Sequence, residues 1–430
     1  MQKDYAVTVE KLVDLIGGAK MEGGTVRDGG TITAVTSPGC WGPMITPSIR
    51  SGHEVSAPVF VEGADIGDSI AIYIEKIEVL SEFAASGTAH KNPGCFDKDP
   101  TIHAKCPYCD EFYPETVTVG IGDSAVRCKK CGHSIIPQTF ESGYTVAYDA
   151  ASALAVSVDK AAAEKIAMDA SEGRAFKPAA SRQHLATVLA KADVDQMVLR
   201  LRPMVGNIGC APVCEIPSAK NSGDLIKGLN ESGLYEQVSA DKITDGHMDI
   251  SNVGEGCTII SPVLVKGAGV YMGDVHFTQG PGELAGHTLD VSAEVRVRVH
   301  VLKGLKLDGP ILLPELSEIN SRFLPLSHEE QQCAAAIRAK FCSAPLERSW
   351  PIQIVGTGGG INDAIDCAIA RASSLLKIPR DEVRNRATVT GCVEIGRFTG
   401  SVFLTLLTPE SLLRECGLLT TVKERYFEHD

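Results

Sequence analysis

Two cysteine pairs in the first third of the chain constrain its local fold more than any other feature. Cys106 and Cys109 form one Cys-x2-Cys pair, and Cys128 and Cys131 form a second one after the spacer 110–127. Each pair fits a tight knuckle that presents two thiolates, and four thiolates can surround Zn²⁺ as a tetrahedron. Because such a set leaves no open coordination position, we expect a structural zinc within a ribbon over residues 101–137.

Other interpretations of these cysteines stay open at this point. They could be four free thiols in two turns, or redox pairs, although no βαβ pattern surrounds them. The flanking His103 and His133 are expected to lie beside the ligands or at the surface. Cys95 and Cys40 are alternative ligands if one knuckle is assigned wrongly.

Length, charge and composition narrow the class of protein. A chain of 430 residues predicts two or three domains, and its 44% apolar and 22% charged residues are typical of globular proteins. The formal net charge of −13 disfavours binding to nucleic acid or anionic membranes. We find no apolar run of ~20 residues, so no membrane span is expected. With no signal-peptide pattern, the 14 cysteines are expected to be reduced, which favours a cytoplasmic location.

Hydrophobic periodicity predicts a strand-rich chain with a few helices. A Gly/Asp turn between apolar runs at 57–77 predicts a pair of strands, and strict alternation at 291–301 predicts a half-buried strand. Helices are expected at 151–170, 183–192, 331–340, 361–376 and 379–385, and residues 11–16 could form one or two helical turns. A further strand is expected at 257–260, and the ranges 349–355 and 387–407 are expected to contain strands.

The segment from 245 to 302 contains the residues best suited to catalysis or metal binding. Asp274 and His276 are two apart, so on a strand their side chains share a face and can form an acid–base pair or two metal ligands. Glycines at 280 and 282 allow a turn that returns Glu283 toward them. Asp249 and His247 complete such a site if their loop approaches. The alternative is structural, with Asp274 accepting from turn amides and His276 satisfied in the core.

The same segment is similar to a known family. The sequence GDVHFTQGPGE at 273–283 resembles the Gly-Asp-x-His-x-x-x-Gly-x-Gly-Glu signature of acetamidase/formamidase proteins. Four more stretches resemble segments of that family in the same order along the chain: APVFVEGADIGDSI at 57–70, RPMVGNIGCAP at 202–212, the segment 245–274, and GTGGGINDAIDCAIARASSLL at 356–376.

The resemblance implies both a fold and an activity. The implied fold is α+β and β-rich, with a barrel or sandwich core and a mixed α/β C-terminal part, into which the ribbon expected from the cysteine spacing is inserted. The implied divisions are a β-rich N-terminal part of the core (1–100), the ribbon (101–137), a β-rich catalytic core with two helices (138–303) and the C-terminal part (304–430). The implied activity is hydrolysis of small linear amides such as formamide or acetamide, by a homo-oligomer.

Carried over by motif, the expected catalytic residues are Glu283, Asp274, His276 and Asp249, and His247 joins them if its loop approaches the site. Of these, Asp274, His276 and Glu283 are candidate ligands of a second divalent metal, which the sequence does not settle. The chain departs from the family where Gly-Gly-Asn-x-Asp is replaced by Asp-Gly-His-Met-Asp at 245–249, which puts the preferred amide in doubt. The ribbon is a second departure.

Weaker candidates remain for comparison with the structure. A cysteine nucleophile could be Cys210, Cys257 or Cys392, although each is also a typical small buried residue. The glycines at 356–360 precede a helix and could bind an anion, but they lack the Lys-Ser/Thr of a P-loop. His53, His90 and His287 could each approach the site. A different class of function is a non-catalytic binding or assembly protein that uses the ribbon as its contact surface.

Overall fold

A computed structural model describes residues 5–39, 45–50, 52–95, 104–220, 244–398 and 400–427. The sequence candidates Cys40 and His103 lie outside these ranges.

The first half of the chain is built mainly from strands. They are β1 (Ala6–Val9), β2 (Leu12–Val13), β3 (Leu15–Ile16), β4 (Thr25–Val26), β5 (Thr31–Thr36), β6 (Val55–Ser56), β7 (Val59–Val61), β8 (Ser69–Val79), β9 (Phe83–Lys91), β10 (Thr116–Thr118), β11 (Val126–Cys128), β12 (Gln138–Asp149) and β13 (Leu154–Ser157).

Strands also dominate the second half. They are β14 (Val198–Arg200), β15 (Met204–Cys210), β16 (Ile216–Pro217), β17 (Thr258–Pro262), β18 (Ala268–His276), β19 (Asp290–Val291), β20 (Ala293–Leu302), β21 (Ile311–Leu313), β22 (Ser349–Thr357), β23 (Gly391–Arg397) and β24 (Ser401–Pro409).

Six α-helices are present among the described residues. They are α1 (Lys160–Ser171), α2 (His328–Ala339), α3 (Ile361–Leu376), α4 (Arg380–Thr390), α5 (Glu410–Glu415) and α6 (Leu419–Phe427). Short 3-10 turns cover Ala186–Leu189, Leu316–Glu318 and Ser321–Phe323. None of these helices is both long and apolar enough to cross a lipid bilayer.

Two large sheets pack against each other. One has nine strands in the order β1-β5-β20-β8-β17-β21-β22-β24-β23, and the other is centred on β18, which pairs with β6, β7, β15 and β19. The facing apolar side chains form one continuous core, to which β20 contributes the buried half of its alternating pattern. Helices α3 to α6 cover the C-terminal end of the nine-stranded sheet over a second core. The result is a strand-rich mixed α/β architecture in which β18 is buried at every residue.

Several sequence predictions are confirmed in this fold. Helix α3 spans the predicted 361–376, and the alternating segment forms β19 and β20. Helix α2 covers most of 331–340. The strands predicted at 57–77 exist as β7 and β8, but they join different sheets rather than pairing with each other.

Other predictions are wrong, and the reasons are local. Residues 154–157 pair with β12 as a strand, and α1 begins only after Asp159, whose carboxylate accepts from Ala162 N at 2.8 Å. The second helix expected between 138 and 303 is only the 3-10 turn Ala186–Leu189, which ends where Ala190 takes φ of +53°. Residues 11–16 form β2 and β3 because they pair with β6 and β16. The strands expected within 387–407 are confirmed as β23 and β24, and the first of them begins at Gly391 because α4 runs to Thr390.

Candidate active site

Strand β18 carries the two predicted residues Asp274 and His276 into the protein interior. Both are wholly buried, and the His276 Nε2 lies 3.3 Å from the Asp274 Oδ1. Asp290 stands opposite His276 in the β18–β19 pairing and places its Oδ1 3.2 Å from the same Nε2. The expected approach of an acid to an imidazole is therefore present, with a second acid beside it.

The loop 245–249 adds two more of the predicted residues. It lies along β15, where Gly206 O accepts from both Met248 N and Asp249 N. This places the His247 Nε2 3.0 Å from the Asp274 Oδ2 and 3.2 Å from the Asp249 Oδ2. Hydrogen bonding to a neighbouring strand thus brings residues 25 positions apart in sequence into one cluster.

Arg371 on helix α3 anchors the start of this loop. It is almost fully buried, donates to Val355 O at 2.7 Å, and forms an ion pair with Asp245. Thr357 donates a further hydrogen bond of 3.2 Å to the Asp245 Oδ2. The C-terminal part of the chain therefore holds the loop that carries His247 and Asp249.

Glu283 reaches the same region from the other side. Gly282 pairs with the end of β23, since Gly282 N donates to Gly396 O and Phe398 N donates to Gly282 O. Arg397 lies between two acids, with its Nε 3.5 Å from the Asp249 Oδ2 and 3.8 Å from the Glu283 Oε2. Glu283 is 6% exposed and lies at the edge of the cluster rather than among its closest contacts.

Four residues of this site were missed or left undecided by sequence reasoning. His53, one of three undecided histidines, has its Nε2 3.4 Å from the Asp274 Oδ2. Gln279, Asp290 and Arg397 were not singled out. The only sequence signal for Gln279 is its place within the 273–283 signature, and none marks the other two. His90 instead lies at the surface, 3.1 Å from Glu141.

The backbone at the acidic residues is unusual. Asp249, Asp274 and Glu283 have φ of +47°, +57° and +41°. Non-glycine residues rarely adopt this left-handed conformation because it is energetically unfavourable. Residues with such strained backbone conformations cluster at functional sites. Gly206 is needed close by, because a Cβ there would lie 2.5 Å from the Asp249 Oδ1 and 2.9 Å from the Asp274 Oδ2.

Burial and mutual charge shift the pKa values of the cluster. Burial lowers the pKa of His247, but Asp249 and Asp274 outweigh it and raise that pKa to about 10. Burial and the Asp249 carboxylate raise the pKa of Glu283 to about 8. Burial likewise raises the pKa of Asp290, whereas His53 and His276 hold the pKa of Asp274 well below its usual range against the effect of burial. These shifts report a strongly negative interior that favours positive charge.

Two sets of side chains in the cluster are arranged so that they could hold a metal ion. In each set the possible ligand atoms lie within 4.8 Å of one another, and Asp274 belongs to both. One set adds His53 and His247, and the other adds Asp249 and His276. Glu283, which the sequence grouped with Asp274 and His276, is in neither set.

The four predicted cysteine ligands also come together, far from this cluster in sequence. Their sulfur atoms lie within 4.8 Å of one another, with 3.7 Å between Cys106 and Cys131 and 3.9 Å between Cys109 and Cys128. A disulfide needs about 2.05 Å, so these are free thiols. The segment docks on the rest of the protein through His184, whose ring nitrogens lie 2.8 and 2.9 Å from the hydroxyls of Thr116 and Thr118.

The other sequence candidates do not form a reactive centre. Burial raises the pKa of Cys210 and of Cys257 to about 12, and that of Cys392 to about 11, so none is a thiolate at neutral pH. Gly356 allows β22 to pack on α3, because a Cβ there would lie 2.2 Å from Ala364 O. His287 is half-buried, and loss of solvation together with the nearby Arg397 charge lowers its pKa to about 4.

Comparison with known proteins gives a consistent result. A model described as the Acetamidase/Formamidase family matches residues 33–330. An acetamidase of Mycolicibacterium smegmatis is 25% identical over 260 residues, which cover 59% of this chain and 54% of that protein. A formamidase of Methylophilus methylotrophus is 30% identical over 113 residues, covering 25% of this chain and 27% of that protein. The matched stretches thus span about a quarter to about half of these relatives.

Solved structures show the shared fold over nearly the whole chain. A protein described as a predicted acetamidase/formamidase from Thermoanaerobacter tengcongensis superposes with a TM-score of 0.54 at 16% identity, covering 96% of this chain and 98% of that one. An acetamidase from Bacillus halodurans superposes with a TM-score of 0.53 at 14% identity, covering 96% and 99%.

Proposed function

The chain belongs to the acetamidase/formamidase family, and from that premise we propose that it hydrolyses the carbon–nitrogen bond of small linear amides and releases ammonia. The observation that carries the proposal is the buried cluster in which Asp274 contacts His247 and His276, with Asp249 and Glu283 beside it. An acid–imidazole cluster in an interior that excludes water can move protons at a bound amide.

Glu283 is the residue that we assign to proton transfer. Its two carboxylate oxygens accept no hydrogen bond from any described residue although they are buried. As base it takes a proton from the attacking water while the water oxygen bonds to the amide carbon. As acid it returns that proton to the nitrogen, so the carbon–nitrogen bond breaks with loss of ammonia rather than of an amide anion.

Charge that develops on the carbonyl oxygen needs a donor. The glycine turn at 280–282 was a candidate, but the N–H groups of Gly282 and Glu283 already donate to Gly396 O and Gly280 O. Arg397 is a better candidate, because its partly exposed guanidinium lies between Asp249 and Glu283. We therefore assign stabilisation of the oxyanion to the guanidinium of Arg397.

The carboxylates and imidazoles also fit a divalent cation. Asp249, Asp274 and His276 would hold it, since one buried oxygen of each carboxylate accepts no hydrogen bond from the described residues. Such an ion would polarise the carbonyl and lower the pKa of a bound water. It would also lower the pKa of each carboxyl that it contacts.

The test is ammonia release from formamide, acetamide, propionamide and urea, comparing the native protein with Glu283→Gln. Glu294→Gln is the matched control, because Glu294 is exposed on β20. We expect kcat to fall about 10²–10⁴-fold in Glu283→Gln and to stay unchanged in the control. Full activity of Glu283→Gln would refute its role, and no release from any amide by the native protein would refute the activity.

For the cysteine segment we propose one structural Zn²⁺ held by Cys106, Cys109, Cys128 and Cys131. A tetrahedron with Zn–S bonds of about 2.3 Å has edges of about 3.8 Å. The two sulfur separations of 3.7 and 3.9 Å support this geometry. Release of one zinc per chain on thiol modification would test it, and retention of that zinc would contradict it.

A second candidate function is assembly through the ribbon. Tyr108, Phe112, Val117 and Val119 are between 42% and 59% exposed, an unusual concentration of apolar surface on so short a segment. This surface would suit a homo-oligomer contact beside an active enzyme. Sedimentation of the native protein and of Tyr108→Ser would test it, since an unchanged mass would remove the ribbon from the interface.

A further inference from the structure

The two oxygens of the Asp274 carboxylate face different imidazoles. Oδ2 lies 3.0 Å from the His247 Nε2 and 3.4 Å from the His53 Nε2, whereas Oδ1 lies 3.3 Å from the His276 Nε2. A second acid flanks each side, since Asp249 contacts His247 at 3.2 Å and Asp290 contacts His276 at 3.2 Å. Asp274 therefore lies at the centre of two adjacent nitrogen–oxygen ligand sets.

Hydrogen bonds on the far side fix which nitrogen of His247 faces the cluster with a lone pair. Its Nδ1 lies 2.7 Å from Ala219 O, and a carbonyl oxygen can only accept, so Nδ1 carries the proton. In the neutral ring, Nε2 therefore presents its lone pair toward Asp249 and Asp274. This arrangement, a backbone carbonyl behind a histidine, is typical of metal ligands.

Gln279 fixes His276 in the same way. Its Nε2 donates to Asp249 O at 2.6 Å and to Gly396 O at 3.2 Å, which orients the amide. The Gln279 Oε1 must then accept from the His276 Nδ1, 2.7 Å away. The neutral His276 consequently directs its Nε2 lone pair at the Asp274 and Asp290 oxygens.

Imidazole lone pairs that face carboxylate oxygens at 3.0–3.3 Å repel them unless a proton occupies Nε2 or both atoms bind the same metal cation. The cluster contains four buried carboxylates, those of Asp249, Asp274, Glu283 and Asp290. Oxygens of all four accept no hydrogen bond from the part of the chain that the structure describes. Buried carboxylate oxygens that lack a hydrogen-bond or cation partner are costly.

We propose that Asp274 bridges two divalent metal ions, one also held by His53 and His247 and the other also held by His276 and Asp249. The proposal rests on the amidase function and deepens it from one optional ion to a pair. Imidazole and carboxylate donors suit Zn²⁺ and related transition metals. A bridging carboxylate is compatible with the separation of about 3.5–4 Å found in two-metal hydrolases.

The first experiment counts metal in the whole protein by mass spectrometry after exhaustive dialysis against metal-free buffer. We expect three ions per chain, one in the ribbon and two at Asp274. His247→Ala and His276→Ala should each retain two, and Cys106→Ser should also retain two. His300→Ala, a change of a half-exposed histidine on β20, should retain three.

A second measurement uses only the native protein, so it does not depend on whether the variants fold. Native protein stripped at the Asp274 cluster and reloaded with Mn²⁺ should give the electron paramagnetic resonance spectrum of a coupled pair. A spectrum of isolated Mn²⁺ at saturation would overturn the bridge, as would two ions per chain in the native protein. Three ions without ammonia release would instead refute the amidase function and leave the metal pair standing. Ammonia release by protein that holds only the ribbon zinc would refute the metal pair and leave the amidase function standing.

Discussion

The ribbon and the Asp274 cluster are both groups of potential ligands, but they are built in opposite ways. The four thiols lie within residues 106–131 on two local knuckles, and Cys109 and Cys131 are half-buried. The Asp274 cluster gathers side chains from position 53 to position 290 and buries them in the sheet packing. A local ligand set needs only its own turns, whereas a dispersed one needs the register of several strands to be right at once.

The largest effect should come from the residue shared by both halves of the buried cluster. In Asp274→Asn, the bridging carboxylate becomes an amide of the same shape, and we expect a loss of about 10⁴ in kcat together with both ions. Initial rates of ammonia release and metal content measure this. Asp381→Asn, at an exposed site, is the control. Activity within tenfold of that of the native protein would mean that the reaction does not depend on the Asp274 carboxylate.

Breaking the local set should damage stability rather than chemistry. Cys106→Ser should lose the ribbon metal and lower the free energy of unfolding by several kcal/mol, because structural zinc contributes on the order of 10 kcal/mol in isolated peptides. Activity per folded molecule should stay within about twofold, as expected for distant sites. Denaturant unfolding with Cys333→Ser, an exposed cysteine, as control tests this. A proportional loss of kcat would show that the two regions are coupled.

A smaller change tests how closely strand β15 must approach the acids. Gly206→Ala places a Cβ 2.5 Å from the Asp249 Oδ1, so the carboxylates must move. We expect a cost of about 1–3 kcal/mol and weaker metal binding. Gly280→Ala is the comparison, since a Cβ there meets no atom within 4 Å. Equal metal affinity in both variants would argue that the cluster tolerates rearrangement.

The smallest effect should come from the attachment of the ribbon. His184→Ala removes hydrogen bonds to Thr116 and Thr118 and should cost about 1–2 kcal/mol. Faster proteolysis within 104–137 would report the loosened contact, with His90→Ala as the surface control. Unchanged proteolysis would mean that the other contacts of the segment, such as the hydrogen bond from Gly122 N to Val188 O, hold the ribbon in place.

The site residues that could be predicted from the sequence are those whose spacing along the chain is itself informative. Asp274 and His276 were found because a strand places alternate residues on one face, and the cysteines because two knuckles repeat. Asp290 could not be found, since only the β18–β19 register sets it opposite His276. Arg397 was missed for the same reason, because it meets Glu283 through a pairing between Gly282 and the end of β23.

Secondary structure was hardest to predict where residue preference and pairing disagree. The alanine-rich run from 151 favours a helix, yet its first part forms β13 because it pairs with β12. By contrast, α3 has a clear apolar face and an adjacent sheet that covers it, so pattern and packing agree. Tertiary partners, which the sequence does not display, decide the ambiguous cases.

The anchoring of loop 245–249 by Arg371 and of Glu283 by β23 has an evolutionary consequence. The match to the family model ends at position 330, while Arg371, Gly396 and Arg397 follow later. Inheritance of the buried acids is thus separated along the gene from inheritance of the residues that position them. Descendants could acquire a different substrate preference by changes confined to the last hundred codons, and their kinship would still be recognised from an unaltered signature.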